Sequence, residues 1–231
     1  MGRTLVYAVV PAAGKGRRFG TKTPKIYLPV AGKPLFIHTL RALKAAYPFG
    51  RIVLAVDASR LAQARRELVR HGLGGVWLTA GGATRAESVL SGLLALPPGS
   101  GLVAVHDAAR PLVSPALVRR TISAAKISGG AICVLPVSST VKKLDPAGKT
   151  VLGTEDRSRL ALAQTPQVFD KSRLLARYRR LGRSAFDATD EAALFDGTRF
   201  RVRAVPGEER NFKVTTKGDL EGMKRYLRSG S

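Results

Sequence analysis

At 231 residues, 45% of them hydrophobic, the chain is long enough to bury one sizeable core. Its single cysteine, Cys133, excludes an internal disulfide, and no apolar run nears the roughly 18 residues of a membrane span. A cytoplasmic globular protein without a membrane partner is expected, and its formal net charge of +23 points to anionic ligands.

Residues 5–10 form an apolar run that reads as a buried strand of a parallel sheet. It leads straight into a loop rather than a signal-peptide cleavage site. The loop holds Gly14, Gly16 and Gly20 and is threaded with five cations, Lys15, Arg17, Arg18, Lys22 and Lys25. Closely approaching backbone N–H groups make a nest for an anion, and flexible cations around it suit a polyphosphate better than a single carboxylate. Two known phosphate loops do not fit. A dinucleotide fingerprint needs glycine where Phe19 stands and an acid about 20 residues on, whereas Asp57 comes much later. A Walker loop needs a second glycine at a spacing that neither Gly14 nor Gly16 provides. A nucleoside triphosphate loop of a third kind is expected, the competing reading being a glycine-rich turn with solvated charges.

Helical spacing follows at 35–46, a strand at 51–56, an Arg-rich amphipathic helix at 61–71 and a strand at 76–79. The alternation repeats with a helix at 87–96, a strand at 102–106, a helix at 115–128 and a strand at 131–136, which carries Cys133 as a buried thiol. This predicts an α/β fold, Rossmann-like, with a mostly parallel sheet and helices on both faces. Its ligand belongs beyond the carboxyl ends of the strands, where the glycine-rich loop lies.

Between 138 and 157 the helical period stops. Asp145-Pro146-Ala147-Gly148 marks a turn between extended segments at 141–144 and 150–152, predicting a β-hairpin arm that projects from the core. A lone hairpin is marginal in water, so the arm is expected to pack on a second subunit and form a homodimer. A short strand at 167–169, a basic helix from 171 to about 181 and a strand at 201–206 follow. A last helix from about 216 to 227, with Asp219 placed for a capping box, completes one domain spanning 1–231.

Several polar stretches fall at predicted strand ends. Gly81-Gly82-Ala83-Thr84-Arg85-Ala86-Glu87-Ser88 begins a helix, where its glycines and Ser88 are placed to hold a base or phosphate. His106-Asp107-Ala108-Ala109-Arg110-Pro111 follows the strongest buried strand. A carboxylate there, facing a polyphosphate, suits Mg2+ or another divalent ion; the alternative for Asp107 is a cap or turn acid. Thr165-Pro166-Gln167, Thr189-Asp190-Glu191 and Asn211-Phe212-Lys213-Val214-Thr215 are further polar corners. His38, His71 and His106 show no metal-ligand spacing and support no nucleophilic triad, so structural roles are expected for all three.

In this order, P-A-A-G-x-G-x-R-x-G…P-K-x-Y-L, G-G-x-x-R-x-x-S-V, H-D-A-A-R-P, T-P-Q, T-D-E-A and N-F-K-V-T make the chain resemble the 2-C-methyl-D-erythritol 4-phosphate cytidylyltransferases of isoprenoid biosynthesis, from about residue 5 to 227. Many nucleotidyltransferases share the opening loop; the later motifs are narrower. The resemblance implies that Ala12, Ala13, Gly14, Gly82 and Ser88 cradle CTP, with Asp107 as the metal-associated acid and Ala108 beside the nucleotide. It implies Arg18 and Lys25 as transition-state cations, and Arg110, Thr140, Arg157, Thr165, Thr189 and Lys213 around the sugar phosphate, with Arg157 and Lys213 holding the nucleophile. Ala83 replaces an acid found in many members, and Lys15 adds a cation where an uncharged residue is common.

The implied reaction joins CMP from CTP to 2-C-methyl-D-erythritol 4-phosphate by in-line attack. A ribitol 5-phosphate cytidylyltransferase shares much of the motif set. A basic nucleic-acid-binding module is the alternative from another class, but the cations are spread along the chain and aromatics at 6% offer no stacking platform.

Overall fold

The computed structural model describes residues 4–14 and 23–229. The central strand β1 (Val6–Ala12) is apolar throughout, and all but one of its residues are buried. A two-residue antiparallel ribbon, β2 (Pro29–Val30) and β3 (Lys33–Pro34), leads into α1 (Leu35–Ala46). Then come β4 (Arg51–Val56), α2 (Leu61–Arg70), β5 (Trp77–Ala80), α3 (Arg85–Leu94), β6 (Leu102–Val105), α4 (Pro115–Ser128) and β7 (Gly130–Pro136). The hairpin β8 (Val141–Leu144) and β9 (Val151–Glu155) forms a two-stranded sheet of its own. After it lie β10 (Ala161–Asp170), α5 (Lys171–Leu181), β11 (Arg203–Pro206) and α6 (Lys217–Ser229).

The main sheet has seven strands in the order β11-β7-β10-β6-β1-β4-β5, with β10 antiparallel to both its neighbours and every other pairing parallel. Strand alternation feeds two cores. Val6, Ala8 and Val10 of β1 pack with α1, α2, α4 and α6, while Tyr7 and Val9 pack with α3 and α5. Each fully buried Val or Leu in these layers contributes about 1.5–3 kcal/mol. Helix α3 lies close on β1 because Gly92 has no side chain: a Cβ there would sit 2.4 Å from Cγ1 of Val9.

The predicted elements recur, with two instructive differences. Helix α3 begins at Arg85, two residues before its expected start, because Thr84 and Glu87 form a reciprocal capping box. Strand β10 runs from 161, although only 167–169 read as strand. Its earlier half hides the signal, since buried Gln164 and Thr165 are polar and Pro166 falls inside the register shift between Ala163 and Gln167. The capping box at α6 uses Asp219, which accepts from the Thr216 N–H at 2.8 Å while its own N–H donates to the Thr216 hydroxyl. Cys133 is a buried free thiol that donates to the Pro166 carbonyl. No helix among the described residues is long and apolar enough to cross a membrane.

Candidate active site

Strands β1 and β6 are neighbours, so the loops leaving their carboxyl ends lie side by side. They line a cavity of about 270 Å3, to which Ala12, Ala13, Gly14, Lys25, Ser88, Asp107, Ala108 and Lys213 contribute. A second cavity of about 240 Å3 is lined by Arg110, Gln164, Thr165, Gln167, Thr189 and Asp190. Arg85, Asp107 and Lys213 line both and so form the wall between them.

That wall is a chain of charges. Arg85 donates through Nη1 and Nη2 to the two carboxylate oxygens of Glu191, at 2.8 and 3.0 Å, and through Nε to Oδ1 of Asp107 at 3.0 Å. Oδ2 of Asp107 lies 2.9 Å from Nζ of Lys213 and 3.5 Å from Nε of Arg110. Burial alone would raise the Asp107 carboxyl, but Arg85, Lys213 and Arg110 outweigh it and hold the group well below the usual carboxylate range. Asp107 is therefore a fixed anion at neutral pH.

The loop after β6 is locked by hydrogen bonds to distant segments. A carbonyl can only accept, so Nε2 of His106 donates to the Arg110 carbonyl at 3.0 Å. Its Nδ1 then accepts from the Thr165 hydroxyl at 3.0 Å, and that hydroxyl accepts from the Asp107 N–H at 3.1 Å. Burial pushes the His106 imidazole down to about 4, so it is neutral at pH 7. The 211–215 segment is laced on from the other side: Arg110 Nη1 donates to the Asn211 carbonyl at 2.8 Å, and the Val214 N–H donates to the Ala109 carbonyl at 2.9 Å. These ties carry Lys213 to Asp107 from more than a hundred residues away.

A family model described as 2-C-methyl-D-erythritol 4-phosphate cytidylyltransferase matches residues 6–229. The chain belongs to that family. It is 43% identical over 222 residues to the 2-C-methyl-D-erythritol 4-phosphate cytidylyltransferase of Xylella fastidiosa, covering 93% of this chain and 94% of that one. It is 37% identical to the bifunctional enzyme IspD/IspF of Desulfotalea psychrophila, with 95% of this chain matched but only 56% of the relative's length spanned. The solved structure of 4-diphosphocytidyl-2C-methyl-D-erythritol synthase from Anaerococcus prevotii superposes with a TM-score of 0.84 at 30% identity, covering 97% of this chain and 99% of that one.

Within this family fold, most of the expected site residues fall on the two cavities. Gly82 lines neither; it packs so closely under α3 that a Cβ would sit 2.3 Å from that of Glu87. The Ser88 hydroxyl, although in the first cavity's lining, donates to the Thr84 carbonyl at 2.9 Å. Thr140 and Arg157 stand on the exposed hairpin arm, where Arg157 Nη1 donates to the Ser138 carbonyl, and neither lines either cavity. Arg18 lies outside the described residues. All three histidines are in structural contacts: besides His106, His38 Nε2 bonds the Val30 carbonyl and His71 faces Glu67. Arg85 and Glu191 had no assigned role in the sequence. The signal was there, since an arginine in the first turn of a helix opposes the helix dipole unless an acid elsewhere holds it.

Among the described residues no group of three or more His, Cys, Asp or Glu side chains could cage a metal ion. An ion carried on a polyphosphate needs less, one or two protein oxygens with phosphate oxygens completing its shell. Asp107, ionised and in the first cavity's lining, is such a donor, so the residues fit an ion of that kind.

Proposed function

We propose that the chain transfers CMP from CTP to 2-C-methyl-D-erythritol 4-phosphate, giving 4-diphosphocytidyl-2-C-methyl-D-erythritol and pyrophosphate. The observation that carries this reading is the shared wall of Arg85, Asp107 and Lys213 between the two cavities. CTP takes the cavity beside the 12–14 loop, and the sugar phosphate takes the one beside Arg110, Thr165 and Thr189. A phosphate oxygen of the sugar phosphate attacks the α-phosphorus. The new P–O bond forms as the bond from the α-phosphorus to the bridging oxygen breaks, and pyrophosphate leaves with that electron pair.

A phosphate monoester is already largely a dianion at neutral pH, so the attack requires no general base. This agrees with His38 and His106, each with a ring nitrogen bonded to a backbone carbonyl, and with His71, which lines neither cavity. What remains is to orient two anions and neutralise the charge that develops. Lys25, in the first cavity's lining, serves the α-phosphoryl group, with Arg18 as its partner by family resemblance. Lys213 and Arg110 hold the attacking phosphate. Mg2+ is the proposed cofactor, with Asp107 as its protein oxygen; when bound it supplies further neutralisation of the triphosphate.

The arm suits a second copy of the chain. Its Leu144, Val151 and Leu152 are 47%, 58% and 59% exposed, and a hairpin with bare apolar side chains is not self-sufficient. In the homodimer we propose, each arm brings Thr140 and Arg157 to the partner's sugar-phosphate cavity.

The test is pyrophosphate release from each ribonucleoside triphosphate, offered with either 2-C-methyl-D-erythritol 4-phosphate or ribitol 5-phosphate. Turnover should be fast only for CTP with the methylerythritol phosphate. Equal or faster turnover with ribitol 5-phosphate overturns the assignment.

A further inference from the structure

Arg85 stands in the wall between the two cavities, beside the acid and the lysine of the transfer site. Arg85 is held on two sides of its guanidinium, by both oxygens of Glu191 and by Oδ1 of Asp107. Glu191 is 1% exposed and lines neither cavity, so it is no substrate ligand in its own right. It is itself fixed: its N–H donates to Oε1 of Gln167 at 3.0 Å, while Nε2 of Gln167 donates to Oδ2 of Asp190 at 2.8 Å. A forked pair between arginine and carboxylate sets direction as well as charge. The three cations on Asp107 are therefore unequal. Arg85 is clamped with its side chain 23% exposed, whereas Lys213 is a point charge on a flexible stem, 35% exposed.

We propose that Arg85, clamped by Glu191, is a positioning residue that pins Asp107 by Oδ1 and leaves Oδ2 to hold Lys213 and Arg110, the cations that face the reacting phosphates. This rests on the transfer reaction proposed above. Lys213 can then leave Asp107 for the attacking phosphate without the carboxylate turning after it. The same clamp joins the 189–191 loop beside the sugar phosphate to the acid beside the nucleotide. Misplacing a charged group at such a junction by about 1 Å costs on the order of 100-fold in rate.

The experiment is a double-mutant cycle on kcat and KM with Arg85→Gln and Asp107→Asn, joined by Arg85→Lys and Glu191→Gln. Arg85→Gln should lower kcat by about 10- to 100-fold, the usual range for a residue that orients a ligand, and leave the KM for CTP within about threefold. Arg85→Lys should recover part of the loss, and Glu191→Gln should show a smaller loss in the same direction. In the Asp107→Asn background, adding Arg85→Gln should change kcat by less than about threefold, because both substitutions remove one arrangement. Losses that multiply, or a raised KM with kcat intact, overturn the proposal, since Arg85 then binds substrate by itself. An unchanged kcat overturns it too. If Arg85→Gln does not fold, the cycle is closed with Arg85→Lys and judged by the same criteria. A wild-type protein that turns over neither sugar phosphate removes the reaction and this inference together; an active wild type without coupling removes the inference alone.

Discussion

Nζ of Lys213 lies 2.9 Å from Oδ2 of Asp107, although more than a hundred residues separate them in sequence and a second cation, Arg85, already holds Oδ1. Of the three cations on this carboxylate, Lys213 is the most exposed, at 35% against 23% for Arg85 and 11% for Arg110. It is thus the partner most readily exchanged for a substrate anion. Replacing it, Lys213→Ala, should lower kcat/KM for the sugar phosphate by about 100-fold or more, while CTP binding measured by calorimetry weakens by less than about threefold. Equal losses for both substrates would mean that Lys213 serves only to neutralise Asp107.

Asp107→Asn should raise the Mg2+ concentration needed for half-maximal activity, because a neutral amide is a poorer ligand for a hard cation. A Mg2+ titration of initial rates checks this. An unchanged midpoint would leave Asp107 as the anchor of its cation cluster and nothing more.

The buried imidazole of His106 makes stability depend on pH. Unfolded, it takes up a proton near its ordinary value of 6.5; folded, burial delays that until about 4. Between those values the unfolded chain binds more protons, so this contribution is full above pH 6.5 and is lost as pH falls toward 4. Asp107 beside it, held well below the usual carboxylate range by its cation partners, stays ionised across this window. From pH 7.5 to 5 the loss is about 2 kcal/mol. Urea unfolding of wild type and His106→Gln at both pH values measures it: the variant should lack this component, and parallel losses would discard it.

The arm prediction follows from where Thr140 and Arg157 stand, away from both cavities on an exposed hairpin that bares Leu144, Val151 and Leu152. Lys25→Ala and Arg157→Ala should each be nearly inactive as homodimers. In a purified mixed dimer carrying one of each, one site collects both defects and the other neither. About half of the wild-type activity per dimer should return if the sites act independently. If Arg157 serves its own subunit, every site carries one lesion and the mixed dimer stays as inactive as its parents.

Local chemistry fixed much of this protein before any fold was known. The alternation of strand and helix follows from side-chain period, and α4 reads directly as Ser114, then Pro115 at the first helical position and Gly129 after the last. The hairpin follows from Asp145-Pro146-Ala147-Gly148, and the strand Val6–Ala12 from its unbroken apolar run. These are properties of neighbours along the chain, so a linear reading reaches them. Strand β10 was only partly legible, because Gln164 and Thr165 are polar by type yet buried. Their partners, Asn211, Glu208, His106 and Asp107, lie far away in sequence. Of the wall of the site, Asp107 and Lys213 were legible as separate polar residues, but their pairing with each other and with Arg85 and Glu191 was not. Asp107, Arg85, Glu191 and Lys213 come from four separate segments, and only the order of strands in the sheet brings them within 3 Å of one another along the chain of contacts. An ion pair's geometry depends on distance in space, which the sequence does not encode residue by residue. The tertiary structure therefore decided which cation holds Asp107 and which is left to exchange.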